Sequence, residues 1–393
     1  MLPVLYGTLA LGGLWTLWSL ELSVSGDAGT WSPEALPGEV VHALVDSPRG
    51  LLAGTESGLY ALRPDGSARR VPGIPGPVYA LAASGEQIRA GTGDGVYALL
   101  SSGAPEPRGL EGVPVRDLAV SGGRTYAATE EGLYEEVKEW TRVWPAGEPR
   151  PVNAVLGSEG GMLFGTEQGI FRLGSGGEIE SLRDRGAVVH LARTGADEIW
   201  AGLRGGERLL RSQDGDSWGE TGGEVRLQSV EALVEDPEEQ DRLYIGGSGL
   251  ADGDGTAGVM VSEDGGRSWR TEQNRLSNTP VLSLAVRRER LEIEVSLPPL
   301  VEARSVALPA SGSRFYSGTN GSGVYTHRSL GPVFSLFESL GAGARFAEPA
   351  LFGLLLLTVV WRLYHGRRYP RRARAKRSSK RDRYRRSGKR KLL

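Results

Sequence analysis

The 393-residue chain has no cysteine and only four histidines. It therefore has no disulfide, and no Cys/His cluster stands at metal-ligand spacing. Missing cysteine permits export without showing it, because many extracytoplasmic proteins carry no disulfide. No Ser/His/Asp spacing or glycine-rich phosphate loop is present either. Neither a metal nor any other cofactor is expected. Helical periodicity is absent from most of the chain, where apolar runs of four to six residues alternate with Gly, Ser, Asp and Pro. That pattern belongs to short strands joined by tight turns.

What the sequence does have is repetition. "LLAGTESGLYAL" returns as "IRAGTGDGVYAL", "TYAATEEGLYEE" and "MLFGTEQGIFRL", with Thr55, Thr92, Thr129 and Thr166 spaced 37 apart. Fourteen residues before each threonine stands Val41, Val78, Val115 or Val152. A fifth copy is read from Val189, with Leu203 in the threonine's place, and further copies open at Val230 and Val281. A fixed period of this size means stacked units, each an antiparallel sheet of about four strands. The expected fold is all-β, a propeller of seven blades. Eight remains the alternative, because "ARSVALPASGSRFYSGT" also resembles the start of a unit.

Trp140, Trp218 and Trp269 each precede the next unit's valine by twelve residues, which marks a tryptophan in the last strand of a blade. Trp31 stands ten before Val41 with no unit ahead of it. "GTWSPEALPGEV" is thus expected to supply the last strand of the final blade, beside "GVYTH", and clasp the ring. The 58 glycines suit so many turns.

"SEDGGRSW" fits the pattern S-x-D-x-G-x-[ST]-W at Ser262, Asp264, Gly266, Ser268 and Trp269. A copy one residue shorter holds Ser212, Asp214 and Trp218. Through these motifs residues 31–327 resemble the Asp-box, or BNR-repeat, propellers: the superfamily of sialidases, sortilin-type receptors and photosystem II assembly factors. The resemblance implies that the boxes are structural and lie away from any active site. It also raises a membrane-bound, sialidase-like glycosidase as the alternative function. Such an enzyme needs an arginine cluster and a tyrosine nucleophile paired with glutamate. "IFRLG" at 170–174 and Tyr134 beside Glu135 are the nearest approaches, and the repeat accounts for both. "ADGDGTAG" at 251–258 has part of a calcium loop but lacks the distal acid.

The charge is divided. Residues 366–393 carry fifteen Lys/Arg and one acid, a net of +14, so the chain's total of −2 leaves −16 on residues 1–365. Ahead of this tail, "EPALFGLLLLTVVWRLY" is read as a short membrane helix over 348–364, with the basic end cytoplasmic. Residues 329–347 form an amphipathic linker. Residues 1–25 open with twenty uncharged residues, a retained anchor or a cleaved export signal. The span 26–328 is then the propeller and faces the extracytoplasmic side. The tail, 365–393, is expected to be disordered and to contact anionic lipid, with RNA binding as its other reading.

Repeats keep scaffold positions and vary those that meet a ligand. One varied position is the residue after each opening valine: His42, Tyr79, Arg116, Asn153, His190, Glu231 and Leu282. In a propeller the first strand of each blade lines the central channel, so these residues form a candidate ring at its mouth. The alternative is that they are solvated strand ends. The acidic turn residues Glu56, Asp94, Glu130 and Glu167 are expected on another face. Together these readings point to a membrane-anchored binding or assembly scaffold for a protein or glycan partner.

Overall fold

The computed structural model describes residues 21–24 and 31–330, except 64, 101–103, 196, 251–257, 273–275, 277–278 and 297–304. The first sheet shows how one repeat folds. Val41–Ser47, Gly50–Thr55, Gly58–Leu62 and Ala68–Arg70 pair in that order, each antiparallel to the last. The second and third strands meet at a turn closed by the repeated threonine. Thr55 Oγ1 donates to the Gly58 carbonyl at 3.0 Å and accepts from the Ser57 N–H at 3.2 Å. The same hydroxyl-to-carbonyl bond recurs from Thr92, Thr129, Thr166 and Thr319. All five threonines are fully buried, so the side chain satisfies turn backbone that water cannot reach.

The next three sheets repeat this order. They start at Val78, Val115 and Val152 and end at Pro107, Trp144 and Arg183. A fifth set (Ala187–Arg193, Ile199–Arg204, Leu209–Ser212 and Gly219–Glu220) and a sixth (Leu227–Glu235, Leu243–Leu250, Val259–Ser262 and Arg270–Thr271) are joined into one sheet by the pair Arg204↔Ser229. The last sheet holds Val281–Ser296, Ser305–Thr319, Val324–Leu330 and Ser32–Ala35, with Glu21–Val24 paired to its first strand on the side away from the second. The stretch 305–319 is therefore the second strand of the sheet that opens at Val281. Among the described residues there is no helix, and none is long and apolar enough to cross a membrane.

Successive sheets meet face to face through a glycine and a valine. A Cβ on Gly54 would lie 2.8 Å from Val78, and Gly91, Gly165, Gly202 and Gly246 face Val115, Val188, Val230 and Val281 in the same way. In the third unit Ala128 takes the glycine's place and packs with Val152. The contact then returns to the start, since a Cβ on Gly318 would lie 2.7 Å from Val41. The apolar faces are buried between neighbours: Leu52 and Leu59 share a cluster with Val78, Ile88 and Ala90 of the next sheet.

The clasp is formed as the repeat requires. Ser32 pairs with Thr326 and Pro33 with Tyr325. Trp31 is 1% exposed and stacks on His327 at 5.3 Å. It sits among Tyr244, Val259, Val261 and Phe315, so it covers the preceding sheet. Trp218 and Trp269 pack against the preceding sheet likewise, and Trp140 donates to the Arg108 carbonyl.

The fifth copy departs from the expected register. Val188, not Val189, pairs with Leu203 and is fully buried. The cause is the first turn, which runs from Thr194 to Glu198 where the first unit needs only Ser47 to Gly50. One extra residue there moves the strand by one position, so Val189 takes the place of His42 and His190 that of Ala43.

The expected linker begins two residues late, since Ser329 and Leu330 complete the strand from Val324; the leading segment 1–20, residues 331–347, the membrane helix and the tail lie outside the described residues, as does most of the calcium-like stretch 251–258.

Candidate functional site

Six of the opening strands carry a bulge. The pairing skips a residue between Val41 and Ala43, Val78 and Ala80, Val115 and Asp117, Val152 and Ala154, Val188 and His190, and Val230 and Ala232. The skipped residues are His42, Tyr79, Arg116, Asn153, Val189 and Glu231. A bulge leaves one residue out of the ladder and re-aims its side chain. Here all six, together with Leu282, line one cavity of about 400 Å³. The candidate ring is thus brought together, with Val189 in the slot read for His190. His190 lines the same cavity from the next position along its strand.

The turn residues reach the same mouth rather than another face. His42 Nε2 lies 2.8 Å from Glu56 Oε2, and the His42 ring meets Tyr79 edge-on at 5.0 Å. Arg116 donates to Glu130 at 2.7 Å and to Asn153 Oδ1 at 2.5 Å. Asn153 in turn donates to Glu167 at 3.0 Å, which also lies 3.7 Å from Arg204. Glu56, Glu130, Glu167 and Arg204 each follow the threonine position of their unit. Asp94 stands one place further on and accepts from the Gly112 N–H at 2.6 Å, so it does not join the mouth. These pairs are half exposed, and such ion pairs contribute roughly 0–1 kcal/mol. A partner's groups can replace them at little cost.

Below the mouth the repeat places alanine: Ala43, Ala80 and Ala232 line the cavity, and Ala154 stands at the same strand position. Three units depart, with Asp117, His190 and Ser283. Burial pushes the Asp117 carboxyl up to about 6, against N–H bonds from Val155 and Leu118 at 2.8 Å that favour its charge. Burial also pushes His190 down to about 4, so near pH 7 the carboxylate is charged and the imidazole neutral. Among the described residues His190 Nε2 and Ser283 Oγ, both sealed from solvent, have no hydrogen-bond partner. Burial, reinforced by the charge of Glu56, raises the Tyr79 phenol and keeps it a donor. Glu231 accepts from Ser229 Oγ at 2.6 Å. Asp117, Ser283 and Arg204 were legible in the repeat as departures from alanine and from glutamate, at positions next to those chosen for the ring.

The boxes fold as hydrogen-bonded loops. Asp264 accepts from the N–H groups of Arg267 and Ser268 and from the hydroxyls of Ser262 and Ser268, all between 2.6 and 3.0 Å. Asp214 accepts from the N–H groups of Asp216 and Ser217 and from Ser212. These bonds hold both carboxyls down to about 2, the Ser268 hydroxyl contributing most at Asp264 and the Ser217 N–H at Asp214. Gly266 has φ +81 and abuts Trp200. None of these residues lines the cavity.

The residues that suggested glycosidase chemistry lie elsewhere. Phe171 stacks on Phe164 at 5.4 Å, Tyr134 donates to Glu131, and Glu135 pairs with Arg124 and accepts from Tyr126. No group of acids and histidines among the described residues is arranged to hold a metal ion.

No family model matches the chain, and no curated protein matches it. Among solved structures it is similar to the extracellular domain of BT4673 from B. thetaiotaomicron, with 16% identity and a TM-score of 0.57 over 77% of this chain and 40% of that one. It therefore spans less than half of that structure. It is also similar to the WD40 β-propeller domain of Doa1 (10% identity, TM-score 0.52, 77% of this chain and 97% of that one). A third similar structure is YCF48 bound to a D1 peptide (12% identity, TM-score 0.52, 78% and 96%). At such identities the likeness concerns the fold alone, and the fold is a β-propeller.

Proposed function

We propose that the chain is a membrane-anchored, extracytoplasmic propeller of seven blades that acts as a binding or assembly scaffold, with a protein or glycan partner seated on the channel mouth. One observation carries the reading. The residues that vary between copies are the ones the bulges aim into a shared cavity, while the conserved threonines, glycines and valines are consumed by turns and packing. The unit-to-unit contacts that return to Val41 support seven blades, and the two serine–aspartate loops support kinship with the Asp-box propellers. The similarity to an extracellular domain and to a propeller holding a peptide is in keeping with a binding role outside the cytoplasm. The hydrophobic end segments supply the anchor and the basic tail the contact with lipid.

The test is capture of a partner from detergent-solubilised membranes by the tagged full-length chain. Arg116→Ala and Tyr79→Ala should each weaken capture by roughly 1–3 kcal/mol while leaving the melting temperature in place. Capture at wild-type strength by both variants would refute a partner site at the mouth.

A further inference from the structure

We infer that the channel selects a cationic side chain, arginine or lysine, presented by an extended segment of a partner protein. The inference rests on the platform reading above and names the chemistry of its site.

Charge decides the sign. The mouth and the layer below it hold five carboxylates, from Glu56, Asp117, Glu130, Glu167 and Glu231, against the guanidinium groups of Arg116 and Arg204. Both guanidiniums already face rim acids, so the unspent capacity is anionic. Among the described residues Glu231 takes a serine hydroxyl and Asp117 two backbone N–H groups. A carboxylate has about four acceptor sites, so each can still receive an N–H bond.

The wall supplies the rest. Alanine at Ala43, Ala80 and Ala232 shows that the scaffold closes without a polar residue at this level. Asp117 nevertheless stands there charged against the pull of burial, and His190, held neutral, lines the cavity at the same level. Ser283, only 8% exposed, also lines the cavity, with its Oγ turned against Gly318. In the blade next to that of Asp117, Tyr79 lines the cavity and meets His42 edge-on, adding an aromatic ring of the kind that attracts cations. The cavity, about 400 Å³, lies near the lower end of the roughly 300–1,000 Å³ typical of ligand sites. It admits one or two side chains of a strand or loop, and no folded domain.

The probes are two acetylated pentapeptides, Gly-Arg-Gly-Arg-Gly and Gly-Gln-Gly-Gln-Gly, titrated calorimetrically into the full-length chain in detergent at low salt, with argininamide and chitotriose alongside. The arginine peptide should bind about tenfold more tightly than its glutamine twin. Glu231→Gln and Asp117→Asn should each cost it about tenfold or more, since hydrogen bonds between charged groups are the strong ones. Glu263→Gln, away from the cavity, should leave it unchanged. Asp117→Ala, which adopts the residue of the neighbouring blades, serves if the asparagine variant fails to fold. Equal binding of the two peptides, or indifference to both acid substitutions, overturns the inference. Argininamide binding as tightly as the peptide assigns the site to a free amine and overturns the polypeptide partner. Preference for chitotriose overturns the cation and leaves the platform standing, whereas the platform itself falls only with the capture experiment.

Discussion

Removing the Trp31 side chain tests whether the ring depends on its N-terminal clasp. Trp31 is 1% exposed, lies over His327 at 5.3 Å, and shares a cluster with Tyr244, Val281 and Phe315. It therefore ties the strand of 32–35 to two successive blades. Truncating a buried tryptophan to alanine costs about 3–5 kcal/mol, the transfer of its surface plus the cavity left behind. For a domain of this size about 2 °C per kcal/mol converts this to a fall of roughly 6–10 °C in melting temperature. The assay is thermal unfolding of the full-length chain followed by far-ultraviolet circular dichroism, which does not depend on the removed fluorophore. Trp140→Ala provides the scale, because Trp140 is only half-buried and its loss should be smaller. Deleting 26–40 should cost more than Trp31→Ala, since it also removes the ladder to residues 324–326. A Trp31→Ala chain that melts within a degree or two of wild type would refute the closure argument.

Gly318→Ala should cost about 1–3 kcal/mol, because its Cβ would press on Val41 at the ring's closing contact, while Gly219→Ala, with nothing within 4 Å, should be neutral in the same denaturant titration. Asp117, at about 6 against an ordinary 3.8, binds its proton more tightly folded than unfolded. Its stabilisation is complete below pH 4 and lost as pH rises to 6, so Asp117→Ala should gain roughly 2–3 kcal/mol on wild type between pH 4 and pH 7. His327 runs the other way, held near 4 by burial against 6.5, and withdraws stability from both chains equally as pH falls from 6.5 to 4; parallel pH profiles for the two chains would refute the Asp117 assignment. Protease added to intact spheroplasts should release the propeller and leave an epitope at Leu393 protected, whereas cleavage at Leu393 from outside would overturn the topology.

The repeat made the architecture legible before any coordinates, because a 37-residue period with threonine, glycine and valine at set places states which residues close turns and which pack between sheets. The tryptophan spacing extended this to the clasp, placing Trp31 with the last blade although it comes first in the chain. Variation among the copies pointed to the channel mouth. What the linear chain did not carry is the bulge: that pairing skips the residue after six of the opening valines follows from how two strands twist against each other, and it turns a varied position into a converging one. The register of the fifth blade was likewise hidden, since one extra residue between Thr194 and Glu198 and the offset of its valine cancel in the spacing. Only packing in three dimensions distinguishes Val188, sealed against Gly165, from Val189 beside it. The same packing set Glu56, Glu130 and Glu167 on the mouth and Asp94 against Gly112. One step along a tight turn rotates a side chain from one surface to another, and a repeat alignment records the step without its direction.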